Sequence, residues 1–179
     1  MRIILLAVLI CLGVAAQARA QQFITVDFST GQLWHLYGDG QSDVYPIVLP
    51  KEGVQRVMNM SRPVHGIFEA ADYKPTWRPT ANMRRKNPAL PRSVSYGQSG
   101  HPIGIYRLRI AWQNPSDPHF WGPVRIHGGA KYADLYGAES AGCVRMLDEH
   151  IEHLVRTIES ARHHDGENNR MVKVSFGYF

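Results

Sequence analysis

Apolar and polar positions alternate with a period of two in several short runs, the pattern of strands with one buried face. Phe23-Ile24-Thr25-Val26-Asp27-Phe28 is rich in β-branched and aromatic residues, which suit a pleated surface. A Ser29-Thr30-Gly31-Gln32 turn signal leads into Leu33-Trp34-His35-Leu36-Tyr37, and Gly38-Asp39-Gly40 turns the chain again before Val44-Tyr45-Pro46-Ile47-Val48-Leu49. Three such runs joined by tight turns predict an antiparallel meander. Ile103 to Trp112, Pro123 to His127 and Met171 to Phe176 read as further strands. In the second of these, Val124 and Ile126 share one face while Arg125 and His127 share the other.

Helical spacing stands out once. From Asp148 to Arg162, Ile151, Leu154, Val155 and Ile158 recur on one face, with Asp148 as the expected N-cap and the Gly166-Glu167-Asn168-Asn169 run as the stop. Between Lys51 and Ser99 the pattern weakens, and Pro63, Pro75, Pro79, Pro88 and Pro91 predict irregular chain without long elements. A stretch of that length inside a compact domain is usually functional or mobile. Short strands plus one amphipathic helix predict a mainly β fold, a sandwich or partly open barrel.

The first twenty residues follow a different logic. Arg2, an apolar run from Ile3 to Val14, and Ala18-Arg19-Ala20 predict a cleavable secretory signal over residues 1–20. The run is too short for a membrane-spanning helix, and no later segment is more apolar. Ile10 stands before Cys11 where a lipid-anchor motif needs a small residue, so lipidation is not expected. Residues 21–179 then form one exported catalytic-size domain, located in the periplasm or cell wall, and large enough for a proper core.

Cys143 is the only cysteine outside that leader. Exported domains usually pair their cysteines, so an unpaired thiol in an oxidising compartment points to intermolecular pairing or to reactivity. Net charge is +5, from 20 Lys and Arg against 15 Asp and Glu. No acidic residue occurs between Tyr73 and Ser116, while Lys74, Arg78, Arg84, Arg85, Lys86, Arg92, Arg107 and Arg109 do. That stretch is either a solvated basic loop or a surface for an anionic partner. No nucleic-acid-binding motif accompanies it, so nucleic acid is not an expected partner.

A thiol attacks as thiolate and needs a base or cation beside it. His127, in Arg125-Ile126-His127-Gly128-Gly129, precedes Cys143 in Ser140-Ala141-Gly142-Cys143-Val144-Arg145. If the segment around Cys143 is extended and lies beside the His127 strand, Cys143 and Arg145 face the same side. A guanidinium would then flank the sulfur. His150, His153, His163 and His164 lack an acidic or cysteine partner at metal-site spacing, so no metal or other cofactor is expected and a solvated helix face is the simpler account. Trp77, Trp112 and Trp121 are expected in core packing rather than in a ligand cleft.

His127-Gly128 followed by Ser140-Ala141-Gly142-Cys143-Val144-Arg145 resembles the signature of the L,D-transpeptidase catalytic domain of YkuD type. The likeness extends to the hairpin from Ile24 to Gln41, Tyr45-Pro46-Ile47, His65-Gly66-Ile67-Phe68, Pro75-Thr76-Trp77-Arg78-Pro79 and His101-Pro102-Ile103-Gly104. The resemblance implies the fold of that domain and a set of roles. Cys143 is the nucleophile toward the residue-3 carbonyl of a peptidoglycan stem peptide, with release of D-alanine. His127 is the base, the Gly128 carbonyl orients it, Arg145 lies near the substrate, and the Gly142 and Cys143 amides are oxyanion donors, with Ser140 in the same motif. The acceptor is a neighbouring stem amine, giving a 3-3 crosslink, or an outer-membrane lipoprotein. Hydrolysis instead of aminolysis would make the protein an L,D-carboxypeptidase, and loss of chemistry would leave a wall-binding module. The resemblance also implies acylation of Cys143 by carbapenems. Ala141 departs from the histidine common at that position, His101 replaces an asparagine, and Pro63-Val64 stands where Thr-Pro is common.

Overall fold

The computed structural model describes residues 21–37, 40–51, 64–112, 124–164 and 171–179. The expected leader, the Gly38-Asp39 part of the second turn, Pro63, Trp121, Pro123 and the run at 166–169 lie outside the described residues, as do the side chains of Trp112, His163 and His164. Strands are β1 (Phe23–Asp27), β2 (Gln32–Leu36), β3 (Ser42–Pro46), β4 (Val64–Tyr73), β5 (Tyr106–Trp112), β6 (Ile126–Ala130), β7 (Val144–Leu147) and β8 (Val172–Gly177). A short helix α1 (Ala81–Lys86), a 3-10 turn (Tyr132–Tyr136) and the long helix α2 (Asp148–His164) complete the described elements.

The strands form one sheet in the order β3-β2-β1-β8-β4-β5-β6-β7. β1 to β3 make the expected antiparallel meander, with Trp34 opposite Thr25 on one side and Val44 on the other. β8 closes against β1 in parallel and against β4 in antiparallel fashion, and β6 with β7 is the second parallel pair. The chain just beyond β3 returns to the opposite edge. Val48 N donates to Arg145 O at 2.8 Å, Arg145 N donates to Val48 O at 3.0 Å, and Pro50 bridges Ser140. The two edges of the sheet are thereby drawn together, which gives the partly open barrel.

The inward face of the sheet carries the alternating apolar positions: Ile24 and Val26 from β1, Leu33 from β2, Phe68 from β4, Leu108 from β5, Ile126 from β6, Val144 and Met146 from β7, and Val172, Val174 and Phe176 from β8. α2 adds Ile151, Leu154, Val155 and Ile158, each fully buried. Each such side chain contributes about 1.5–3 kcal/mol, so the amphipathic stripe read from the sequence anchors the helix that follows β7.

One expectation fails. The Lys51 to Ser99 stretch is not without long elements, because β4, ten residues long, runs through it and pairs with both β5 and β8. Its alternation is broken by a register shift between Phe68 and Ala70, a β-bulge that returns Ala71 rather than Ala70 to the face set by Phe68. With small residues at Gly66, Ala70 and Ala71, the period-two signal disappears from the sequence although the ladder persists.

Candidate active site

β5, β6 and β7 bring the chemistry-bearing residues onto the sheet face opposite the core. His127 stands in register with Arg107 on one side and Arg145 on the other, and register partners point to the same face. Cys143 precedes β7 by one residue, and Val144 N donates to Arg125 O at 3.0 Å. Burial alternates along this segment, with Cys143 and Arg145 half-buried and Val144 and Met146 buried. The segment is therefore extended, with Cys143 and Arg145 on the same side and beside the His127 strand.

Ser140 shapes the bend that presents the thiol. Its Oγ accepts from Cys143 N at 2.9 Å and Gly142 N at 3.3 Å, and its hydroxyl donates to Cys143 O. Gly142 adopts φ 152°, a backbone region that disfavours side chains. The backbone of Ser140 is itself fixed, donating to Leu49 O and accepting from Lys51 N. The two amides expected to serve an oxyanion are thus both engaged by a hydroxyl of the same bend.

His127 is buried, and its Nδ1 lies 2.7 Å from Gly128 O. A carbonyl only accepts, so Nδ1 carries the proton and Nε2 is the nitrogen with a lone pair. Burial holds the imidazole below its ordinary value, opposed by the Gly128 and Ile103 carbonyls, while the charges of Arg145 and Arg125 press it further down. Burial pushes the Cys143 thiol up, against a backbone hydrogen bond from Arg125 and the positive charges of Arg125 and Arg145. Both shifts favour the uncharged forms, the thiol of Cys143 and the neutral imidazole of His127. Cys143 is a free thiol.

Arg145 reaches Asp134 of the 3-10 turn at 3.3 Å through Nη2, and its Nε is buried without a hydrogen-bond partner among the described residues. Three residues that sequence reasoning did not place at the site also lie against it. Exposed Arg125 lends its field to both Cys143 and His127. Asp134 restrains Arg145. Asp148 does not cap its own helix as expected; its Oδ1 instead accepts from Gly129 N at 2.8 Å and Ile105 N at 3.1 Å. An acidic residue at the helix start, close behind the Cys-containing motif, was the available signal, but its partners are distant in sequence.

The basic stretch is less uniform in space than in sequence. Arg107 and Arg109 both pair with Asp72, which precedes the acid-free window. Arg84 donates to Pro79 O and Arg85 to Asn82 Oδ1, while Lys74 lies over the Tyr73 and Tyr96 rings. Trp77 is half-buried, outside the core cluster, and its backbone bridges Val94. His153 is not simply solvated: its Nδ1 meets the Tyr45 hydroxyl at 2.8 Å and Asp43 at 3.5 Å. Among the described residues no group of three His, Cys, Asp or Glu side chains is placed to hold a metal ion, and no helix is long and apolar enough to cross a membrane.

The sequence profile of the L,D-transpeptidase catalytic domain matches residues 21–173. Among solved structures, the chain is similar to the L,D-transpeptidase from Mycobacterium smegmatis, at 12% identity and a TM-score of 0.51, over 87% of this chain and 58% of that one. It also resembles the Ldtfm-avibactam carbamoyl enzyme (17% identity, TM-score 0.49, 86% of this chain and 48% of that one). L,D-transpeptidase 1 of Mycobacterium tuberculosis is a third (10% identity, TM-score 0.45, 88% and 62%). The chain thus spans between 48% and 62% of the length of these three proteins. No curated protein matches it. The smegmatis likeness supports the fold, a mainly β curled sheet with one long helix, and the profile match over most of the chain places the protein in the L,D-transpeptidase catalytic domain family.

Proposed function

We propose that the protein is an exported peptidoglycan L,D-transpeptidase that uses Cys143 as its nucleophile. The observation that carries this reading is the paired β6–β7 frame. It sets His127, with Nδ1 committed to Gly128 O, on the same face as Cys143 and Arg145. In the first half-reaction Nε2 of His127 takes the thiol proton as Sγ bonds to the residue-3 carbonyl carbon of a tetrapeptide stem. Collapse of the tetrahedral adduct breaks the amide bond to D-alanine, whose nitrogen takes the proton from His127, and leaves a thioester. In the second, an acceptor amine attacks the thioester carbon. His127 takes a proton from that amine and returns it to the departing sulfur.

Arg145 and Arg125 supply positive charge beside the reacting carbonyl and favour a substrate carboxylate. The Gly142 and Cys143 amides serve the oxyanion when they exchange Ser140 Oγ for it. The acceptor is a neighbouring stem peptide or an outer-membrane lipoprotein amine, and the N-terminal pattern assigns the work to the periplasm or cell wall. Incubation of residues 21–179 with disaccharide-tetrapeptide, followed by mass analysis of the products, tests the reading. Crosslinked dimers with released D-alanine support it. Tripeptide monomers alone would show water as the acceptor and make the protein an L,D-carboxypeptidase, and unchanged substrate would refute the proposal.

A further inference from the structure

Asp148 is the first residue of α2 and lies directly after β7. Its Oδ1 accepts from Gly129 N at 2.8 Å. That N–H and the Gly128 carbonyl are the two ends of one peptide group, and the carbonyl end meets His127 Nδ1 at 2.7 Å. Carboxylate, peptide group and imidazole therefore stand in series.

The approach is too close for ordinary residues. A Cβ on Gly128 would fall 2.2 Å from Asp148 Oδ1, and one on Gly104 would fall 2.1 Å from the same atom. Both glycines open the space through which the carboxylate reaches the Gly128–Gly129 peptide, while Ile105 N holds the oxygen from the other side at 3.1 Å. A negative charge on the N–H end of a peptide shifts electron density toward its carbonyl oxygen, and hydrogen bonds in such a chain strengthen one another. The other charged groups on this face are Arg125 on its own strand, Arg145 on β7, paired with Asp134, and Arg107 in register on β5, paired with Asp72 of β4.

We propose that Asp148 is a positioning residue for His127, acting through the Gly128–Gly129 peptide to hold the proton on Nδ1 and the lone pair on Nε2. The inference rests on the reading that His127 is the base toward Cys143. It assigns to Asp148 the part that a directly bonded carboxylate plays in a Ser-His-Asp triad, with one peptide group interposed.

The test is Asp148→Asn, which keeps the shape and an accepting oxygen but removes the charge. Acylation of Cys143 by a carbapenem, followed by intact mass, is expected to slow roughly tenfold at pH 7, an attenuated form of the much larger loss when a directly bonded carboxylate is neutralised. The acid limb of the pH–rate profile should move to lower pH and the His127 Nδ1 proton resonance upfield, because the imidazolium loses its in-line negative charge. A parental rate and profile would overturn the proposal. So would a slowed rate with unmoved profile and resonance, which would assign Asp148 to holding the α2 junction alone. Should the variant not fold, ¹⁵N spectra of the parent protein decide: neutral His127 protonated on Nδ1 supports the series, and protonation on Nε2 overturns it. Cys143→Ala run alongside separates the two readings, since persistence of the adduct there would refute the nucleophile assignment and not the role of Asp148.

Discussion

Ser140→Ala removes one oxygen that organises the whole nucleophile bend. Ser140 Oγ accepts from two amides, at 2.9 and 3.3 Å, and the hydroxyl also donates to the Cys143 carbonyl. At about 1 kcal/mol net for each lost amide bond, the variant loses about 2 kcal/mol, with the half-exposed bend allowing water to replace part of the third. For a domain of this size that corresponds to a fall of roughly 6 °C in Tm. The residue itself stays in place, because its backbone bonds to Leu49 and Lys51 do not involve the side chain. The bend relaxes instead, and a thiol displaced by about 1 Å reacts roughly a hundredfold more slowly. Differential scanning calorimetry and the rate of carbapenem adduct formation read the two effects, and Ser140→Thr, which keeps the hydroxyl, should retain most of both. Parental Tm and parental acylation rate in Ser140→Ala would refute the idea that this hydroxyl shapes the nucleophile.

Two pH predictions follow from burial. Alkylation of Cys143 by iodoacetamide should rise continuously toward alkaline pH, because burial raises the thiol and lowers His127; a rate plateau already present near pH 5 would instead reveal a standing thiolate–imidazolium pair. His35 is fully buried, its Nε2 is 2.8 Å from Gln22 Oε1, and burial pushes it down to about 4. The unfolded chain then binds more protons than the folded one below pH 6.5, so stability present above that value falls as pH drops toward 4, by about 3 kcal/mol. Urea unfolding at pH 7 and pH 4.5 should show most of that loss in the parent, and His35→Gln should be markedly less sensitive.

What was legible in the sequence followed from periodicity and from the motif. The β1–β3 meander and the α2 stripe rest on local alternation, and that information survives in a single chain. β4 was not legible, because a bulge after Phe68 and several small residues erase the alternation while leaving the ladder intact. Asp148 was legible as a helix-start residue but not as the partner of Gly129 and Ile105, since those contacts depend on how β6 and the 101–105 segment fold against α2. The pairing of Arg107 in the basic stretch was not legible for a similar reason: Asp72 lies outside the stretch in sequence and directly across from Arg107 in the sheet.

The central claim is that a stem-peptide acyl group passes through Cys143. Brief incubation with disaccharide-tetrapeptide, acid quenching and peptide mapping by mass measures it directly. The account predicts an adduct of the substrate less D-alanine on the peptide containing Cys143, and none on Cys143→Ala. An adduct on another residue, or turnover of the tetrapeptide by Cys143→Ala at the parental rate, would contradict it.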